Sequence, residues 1–204
     1  MASPVKLAHI VLWTTNLPTM RNWYVTVLEG RTVHENPALA FITYDDEHHR
    51  VALSDPVAIA ALVEDLNEVP AGFAELLPGR VPTTSRAAPA VPRGLAHVAF
   101  TYSSLEDLLT NYERLKEQGI TPVATINHGA TTSLYYRDPD GNQVELQIDN
   151  FGTVDEGAAF MLSEAFHNNP IGIAFDPDEI LKRLRAGEPE RELVASTTTR
   201  LRED

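Results

Sequence analysis

The spacing of apolar residues along the chain changes period several times, and the sequence of changes occurs twice. Residues 6–13, K-L-A-H-I-V-L-W, form a strand-like apolar run with His9 near its start, broken by Asn16-Leu17-Pro18. From Thr19 to Leu28 the residues Met20, Trp23, Tyr24, Val27 and Leu28 recur at helical spacing, and Gly30 marks the stop. The same plan returns at residues 95–102, L-A-H-V-A-F-T-Y, a strand with His97 in the corresponding place. Ser103-Ser104 offers an N-cap, and Leu105 to Gln118 carries Leu105, Leu108, Leu109, Tyr112 and Leu115 on one stripe before Gly119. His9 lies 21 residues before Gly30 and His97 22 before Gly119, which indicates an internal duplication.

Each half continues with strand-like segments. In the first these are Arg31 to His34, Leu39 to Tyr44 and His49 to Ser54; in the second they are Thr121 to Ile126, Thr132 to Arg137 and Gln143 to Ile148. The expected fold is α+β: two βαβββ modules, over 1–55 and 94–150, pairing into one incompletely closed, cavity-forming sheet. A small sheet of this kind cannot bury both faces alone. Between the modules, 56–93 reads as an insertion, with a short helix over Val57 to Leu66 and a linker over Pro78 to Pro92, which holds four prolines. Residues 151–204 read as a helical C-terminal extension. One helix is expected from Asp155 to Phe166 and another from Asp176 to Arg185, with Pro177 in its first turn and Gly187 as its stop, followed by a frayed polar tail from Glu188.

Composition narrows the chemistry. The chain has 204 residues and no cysteine, so any metal must be held by His, Asp or Glu, which points to iron(II), manganese or zinc. A formal net charge of −13 argues against nucleic acid or an anionic membrane surface as partner. With no apolar signal core and no long apolar run, a cytoplasmic protein is expected.

The stretch from Asn127 to Glu145 concentrates the candidate chemistry. Asp138-Pro139-Asp140-Gly141 has turn composition and separates two strands. In the second strand Val144, Leu146 and Ile148 share one face while Gln143, Glu145 and Gln147 share the other, so Glu145 would enter a pocket lined by that face. Repeat-equivalent His9 and His97 would bring two imidazoles together across a two-fold relation, with Glu145 as the third ligand. Two His and one carboxylate on one side of an ion form the facial triad of non-haem iron(II) oxygenases. The first module has V-A-L-S in the matching strand and offers no second carboxylate.

Several motifs together resemble the vicinal oxygen chelate superfamily, and within it the extradiol ring-cleaving dioxygenases. They are L-A-H-I at 7–10, H-H at 48–49, L-A-H-V at 95–98, N-H-G at 127–129 and Y-Y-R-D-P-D-G-N-Q-V-E-L at 135–146. The resemblance implies that His9, His97 and Glu145 hold iron(II), or manganese(II) in its place. It implies His49 as the pocket acid–base, with His128 and Tyr135 hydrogen-bonding the substrate hydroxyls. Two neutral imidazoles and one carboxylate leave a net charge of about +1 on the ion, which attracts a catecholate. The expected reaction is cleavage of a substituted, biphenyl-2,3-diol-like catechol with O2, in a homo-oligomer. The setting Glu47-His48-His49-Arg50 and the long insertion depart from the family pattern.

Each residue also has a structural reading. A lone strand His is more often a satisfied polar residue than a ligand; repeat equivalence and Glu145 reverse that weighting for His9 and His97. Alternation turns only one of His48 and His49 inward, and only one of Tyr135 and Tyr136. His34 and His167 read as structural or surface residues. Two other functions remain open at this level: a metal-dependent glyoxalase- or epimerase-type isomerase, which would use a second carboxylate, and a non-catalytic small-molecule binder, which would lack the ligands.

Overall fold

The computed structural model describes residues 6–64, 95–169 and 171–199. The chain divides into two compact units, Met1–Gly94 and Leu95–Asp204. In the first, strands β1 (Ile10–Trp13), β2 (Arg31–Glu35), β3 (Leu39–Thr43) and β4 (Val51–Ser54) form a sheet of order β1-β4-β3-β2, with helix α1 (Leu17–Val27) between β1 and β2. β1 runs parallel to β4 and the other pairs are antiparallel. Pro18 sits in the first turn of α1, where its missing N–H costs nothing. Met20, Tyr24 and Val27 are buried on the face that the helical spacing marks. A short helix α2 (Pro56–Glu64) follows β4, close to the one expected; the linker read over Pro78 to Pro92 lies outside the described residues.

The second unit repeats the plan. Strands β5 (His97–Thr101), β6 (Ala124–Asn127), β7 (Thr131–Arg137) and β8 (Gln143–Asp149), with helix α3 (Leu105–Glu117) after β5, give the order β5-β8-β7-β6, again with the first and last strands parallel. The α+β class and both βαβββ modules are as expected, each module building its own sheet. Ser104 caps α3 by accepting from Asp107 N at 3.0 Å, with Glu106 and Asp107 in the positive first turn. Leu105, Leu108, Leu109 and Leu115 are fully buried, each contributing about 1.5–3 kcal/mol. Facing α3 on the sheet are Leu134, Tyr136, Val144, Leu146 and Ile148, all buried, so the residues between them point to the opposite face.

The C-terminal extension differs from expectation in two ways. The helix read from Asp155 to Phe166 is two helices, α4 (Val154–Met161) and α5 (Glu164–Asn168), because Thr153 with Glu156 forms a capping box and Ser163 caps a new start by accepting from Phe166 N. A strand β9 (Ile173–Ala174) then joins the edge of the second sheet beside β6, and α6 (Pro177–Arg185) docks on α3. The tail read as frayed from Glu188 is helical over α7 (Glu190–Thr199). Its polar composition hides two long-range ties: Leu193 is fully buried, and the Glu190 carboxylate accepts from Leu105 N and Glu106 N, both at 3.2 Å, at the start of α3. Leu193→Ala is expected to lower stability by about 2–5 kcal/mol, read as an earlier urea midpoint. Among the described residues no helix is long and apolar enough to cross a membrane.

Candidate metal and substrate site

The turn between β7 and β8 sets the register of the second unit's open face. Asp138 Oδ1 accepts from Asp140 N (3.1 Å) and Asn142 N (2.8 Å), while its Oδ2 accepts from Asn142 Nδ2 (2.8 Å). A side chain closing its own turn is the physical content of the D-P-D-G-N sequence. With that loop fixed, Tyr135 stands directly across from Glu145 and Arg137 across from Gln143. On the other side of β8, parallel β5 places His97 beside Gln143 and Ala99 beside Glu145.

Glu145 is therefore central to a small cluster. Its carboxylate is buried, at 4% exposure, and lies 3.0 Å from His97 Nε2. The Tyr135 hydroxyl is hydrogen-bonded to it, and burial, reinforced by the carboxylate charge, pushes that phenol up to about 12. Tyr135 thus stays a neutral donor at physiological pH. His128 Nε2 is 2.9 Å from the same hydroxyl, completing a chain from His97 through Glu145 and Tyr135 to His128. Tyr136 points to the core and is fully buried, as alternation requires.

In the first unit His9 immediately precedes β1 and is exposed. The His49 ring stacks on Phe41 (centroids 4.7 Å apart, 14° between planes) and lies 4.4 Å from the His9 ring. His48 Nδ1 and His49 Nδ1 are 2.6 Å apart, so one of them donates. His49 is half-buried and His48 exposed, as expected for one inward member of the pair. Burial first, then the charges of His9 and His48, holds the His49 imidazole below the usual histidine range. Arg50 ties this corner together: Nη1 donates to the Leu7 and Ala8 carbonyls (2.8 and 3.1 Å), and Nε donates to Asp45 Oδ2 (2.9 Å). The segment leading into His9 is thereby anchored to the turn carrying His49. His34 and His167 are exposed.

Residues 6–146 match the Glyoxalase/Bleomycin resistance protein/Dioxygenase superfamily. The chain belongs to that superfamily. Two curated relatives from Rhodococcus globerulus are similar over most of their length: biphenyl-2,3-diol 1,2-dioxygenase 3, 46% identical over 93% of this chain and 87% of the relative, and biphenyl-2,3-diol 1,2-dioxygenase 2, 45% identical over 93% and 86%. Among solved structures, a lactoylglutathione lyase from Agrobacterium tumefaciens aligns at 19% identity over 72% of this chain and 96% of that one, with a TM-score of 0.49.

Membership in the superfamily makes the two modules comparable position by position. Two residues after His97 comes Ala99, paired with Glu145; two residues after His9 comes Val11, paired with Ala52. Across the next strand Glu145 faces Tyr135, whereas Ala52 faces Phe41. The duplicated scaffold therefore carries a carboxylate and phenol in one module and an apolar pair in the other. No second carboxylate stands where an isomerase of four protein ligands would place one.

Among the described residues no group of three His, Asp or Glu is positioned to hold a metal, so His9, His97 and Glu145 are not gathered into a ready site. What the second unit does provide is two of the three expected donors, His97 and Glu145. A buried carboxylate is costly unless compensated. Glu145 shares its site with an imidazole nitrogen and a neutral phenol, both suited to a divalent ion and its ligands.

Two residues of this region escaped the sequence reading. Asn127 Oδ1 accepts from Gly129 N (2.7 Å) and from Asn150 Nδ2 (3.0 Å), which fixes the loop carrying His128. The N-H-G sequence is an Asx-turn signal that could have revealed the first; nothing local marks Asn150.

Proposed function

We propose that the chain is an extradiol dioxygenase that opens the ring of a substituted catechol with O2, using iron(II) held by His9, His97 and Glu145. The observation that carries this reading is the His97–Glu145–Tyr135–His128 cluster on one sheet face, in a chain 46% identical to a biphenyl-2,3-diol dioxygenase over most of its length. Bound there, iron(II) would supply a Lewis-acid centre that eases ionisation of the diol. Tyr135, kept protonated, and His128, 2.9 Å from its hydroxyl, hydrogen-bond the two diol oxygens. Together they discriminate a vicinal diol from a monophenol, because a missing hydroxyl leaves a polar group unpaired. His49 takes a proton from the diol and returns it later in the cycle. Ala52 and Phe41, apolar where the second module has Glu145 and Tyr135, speak against an isomerase that needs a second carboxylate.

Anaerobic loading with iron(II), then oxygen uptake with a panel of catechols, tests the proposal. Stoichiometric uptake with a yellow ring-fission product is expected, with 3-aryl catechols preferred over catechol itself. Absence of uptake with every catechol, in protein that has retained iron, overturns it.

A further inference from the structure

The chain beyond β8 is built against the loop that carries His128. β9 pairs with β6, setting Ala174 opposite Ile126 and Ile173 opposite Asn127. Just before it, Gly172 has φ +90° and approaches so closely that a Cβ would lie 2.1 Å from the Asn127 carbonyl oxygen and 2.6 Å from His128 Cα. On the other side Gly129, with φ +83°, leaves room for Phe160 of α4, whose Cζ would stand 2.4 Å from a Cβ. Only glycine permits either approach at such backbone angles.

Side-chain amides finish the clamp. Besides accepting from Gly129 N and Asn150 Nδ2, Asn127 donates through Nδ2 to Val194 O in α7 at 2.8 Å. Asn150 Nδ2 also donates to Gly129 O at 3.0 Å, and its Oδ1 accepts from Thr132 Oγ1 at 2.7 Å. Asn127 is 1% exposed, so its amide is held out of water with both ends paired. Both neighbours of His128 in sequence are thus fixed, which leaves its imidazole facing Tyr135.

We propose that Asn127 and Asn150 are positioning residues that set the His128 imidazole against Tyr135, with the C-terminal extension as the backing of this diol-binding edge. The inference rests on the diol-binding role proposed above for His128 and Tyr135, and the experiment separates the two. An amide network in which both N–H groups of Asn150 and both ends of Asn127 are paired holds one backbone conformation more firmly than its separate bonds would. It is longer-ranged than a cap or turn, since it joins β6, β7, the residue that follows β8, and α7.

The test uses the full-length chain as Asn150→Ala, as Asn150→Asp, as His128→Gln, and as the double variant Asn150→Ala with His128→Gln. Asn150→Asp keeps the volume and the acceptor for Thr132 while losing both N–H donors, so it guards against a variant that fails merely through a cavity. The first readout needs no activity: in 15N-histidine-labelled, metal-free protein the ring signals of His128 shift in both Asn150 variants while those of exposed His34 stay in place. The second is kinetic, in iron-loaded enzyme: KM for the catechol rises roughly tenfold with a smaller change in kcat, the effect of one hydrogen bond lost to the bound substrate. In the His128→Gln background Asn150→Ala adds nothing further. Unmoved His128 signals in both variants overturn the proposal, as does an unchanged KM or an additive double variant in an enzyme that cleaves catechols. If wild-type enzyme cleaves none, the proposed reaction fails, and the His128 signals alone decide the positioning role.

Discussion

Glu145→Ala should yield a folded chain that no longer retains iron. The carboxylate projects from β8 toward the open face, whereas β8 contributes to the core through Val144, Leu146 and Ile148 on the opposite side. Removing it therefore spares the packing against α3. What it takes away is the anionic donor beside His97 Nε2, and the matching position of the first module, Ala52, offers no carboxylate in its place. Loss of residues that only support metal ligands costs about 10–100-fold in affinity, so loss of a ligand should weaken retention by more than about 100-fold. Metal analysis after gel filtration reads the effect, with circular dichroism and the urea midpoint confirming the fold. Glu145→Gln, of equal volume, should lose iron nearly as completely, because the amide oxygen carries no charge. Stoichiometric iron in either variant would remove Glu145 from the ligand set.

His49→Gln should behave oppositely, keeping iron and losing turnover. Its imidazole is packed flat on Phe41 and touches both His9 and His48, a location that fixes the ring without making it part of the His97–Glu145 cluster. As a proton carrier its removal should lower kcat by about 10²- to 10⁴-fold with little change in KM. His48→Gln is the contrasting variant: that ring is exposed, and its loss should change kcat by no more than about threefold, as expected of a surface position. Equal losses in the two variants would show that the pair acts through the shape of the turn rather than through His49. Loss of iron in His49→Gln would make it a ligand instead.

The elements most legible in advance were those whose signal is local. The stripe Leu105, Leu108, Leu109, Tyr112 and Leu115 is buried as its period requires, and the D-P-D-G-N turn places Tyr135 opposite Glu145. Alternation in β8 sorted Glu145 from Val144 and Leu146 without knowledge of any partner. Strand limits were less exact: the segments read from Lys6 and His49 begin only at Ile10 and Val51, because a ladder starts where a neighbour offers hydrogen bonds. The long helix read through Leu162 to Ser163 failed for a related reason, since a serine can either ride inside a helix or cap a new one.

Local period and turn chemistry were enough to define the duplicated βαβββ modules, the repeat-equivalent His9 and His97, and the face of the last strand that carries Glu145, while the role of Tyr135 came from the family resemblance. Contacts between residues far apart in sequence were not legible in this way. The docking of Leu193, the Glu190 cap on α3, and the Asn127–Asn150 clamp behind His128 each join segments separated by tens of residues of chain. A polar tail or a lone asparagine carries no periodicity, and its partners become neighbours only after the sheet has formed. Tertiary structure alone therefore decided that the extension backs the His128 loop.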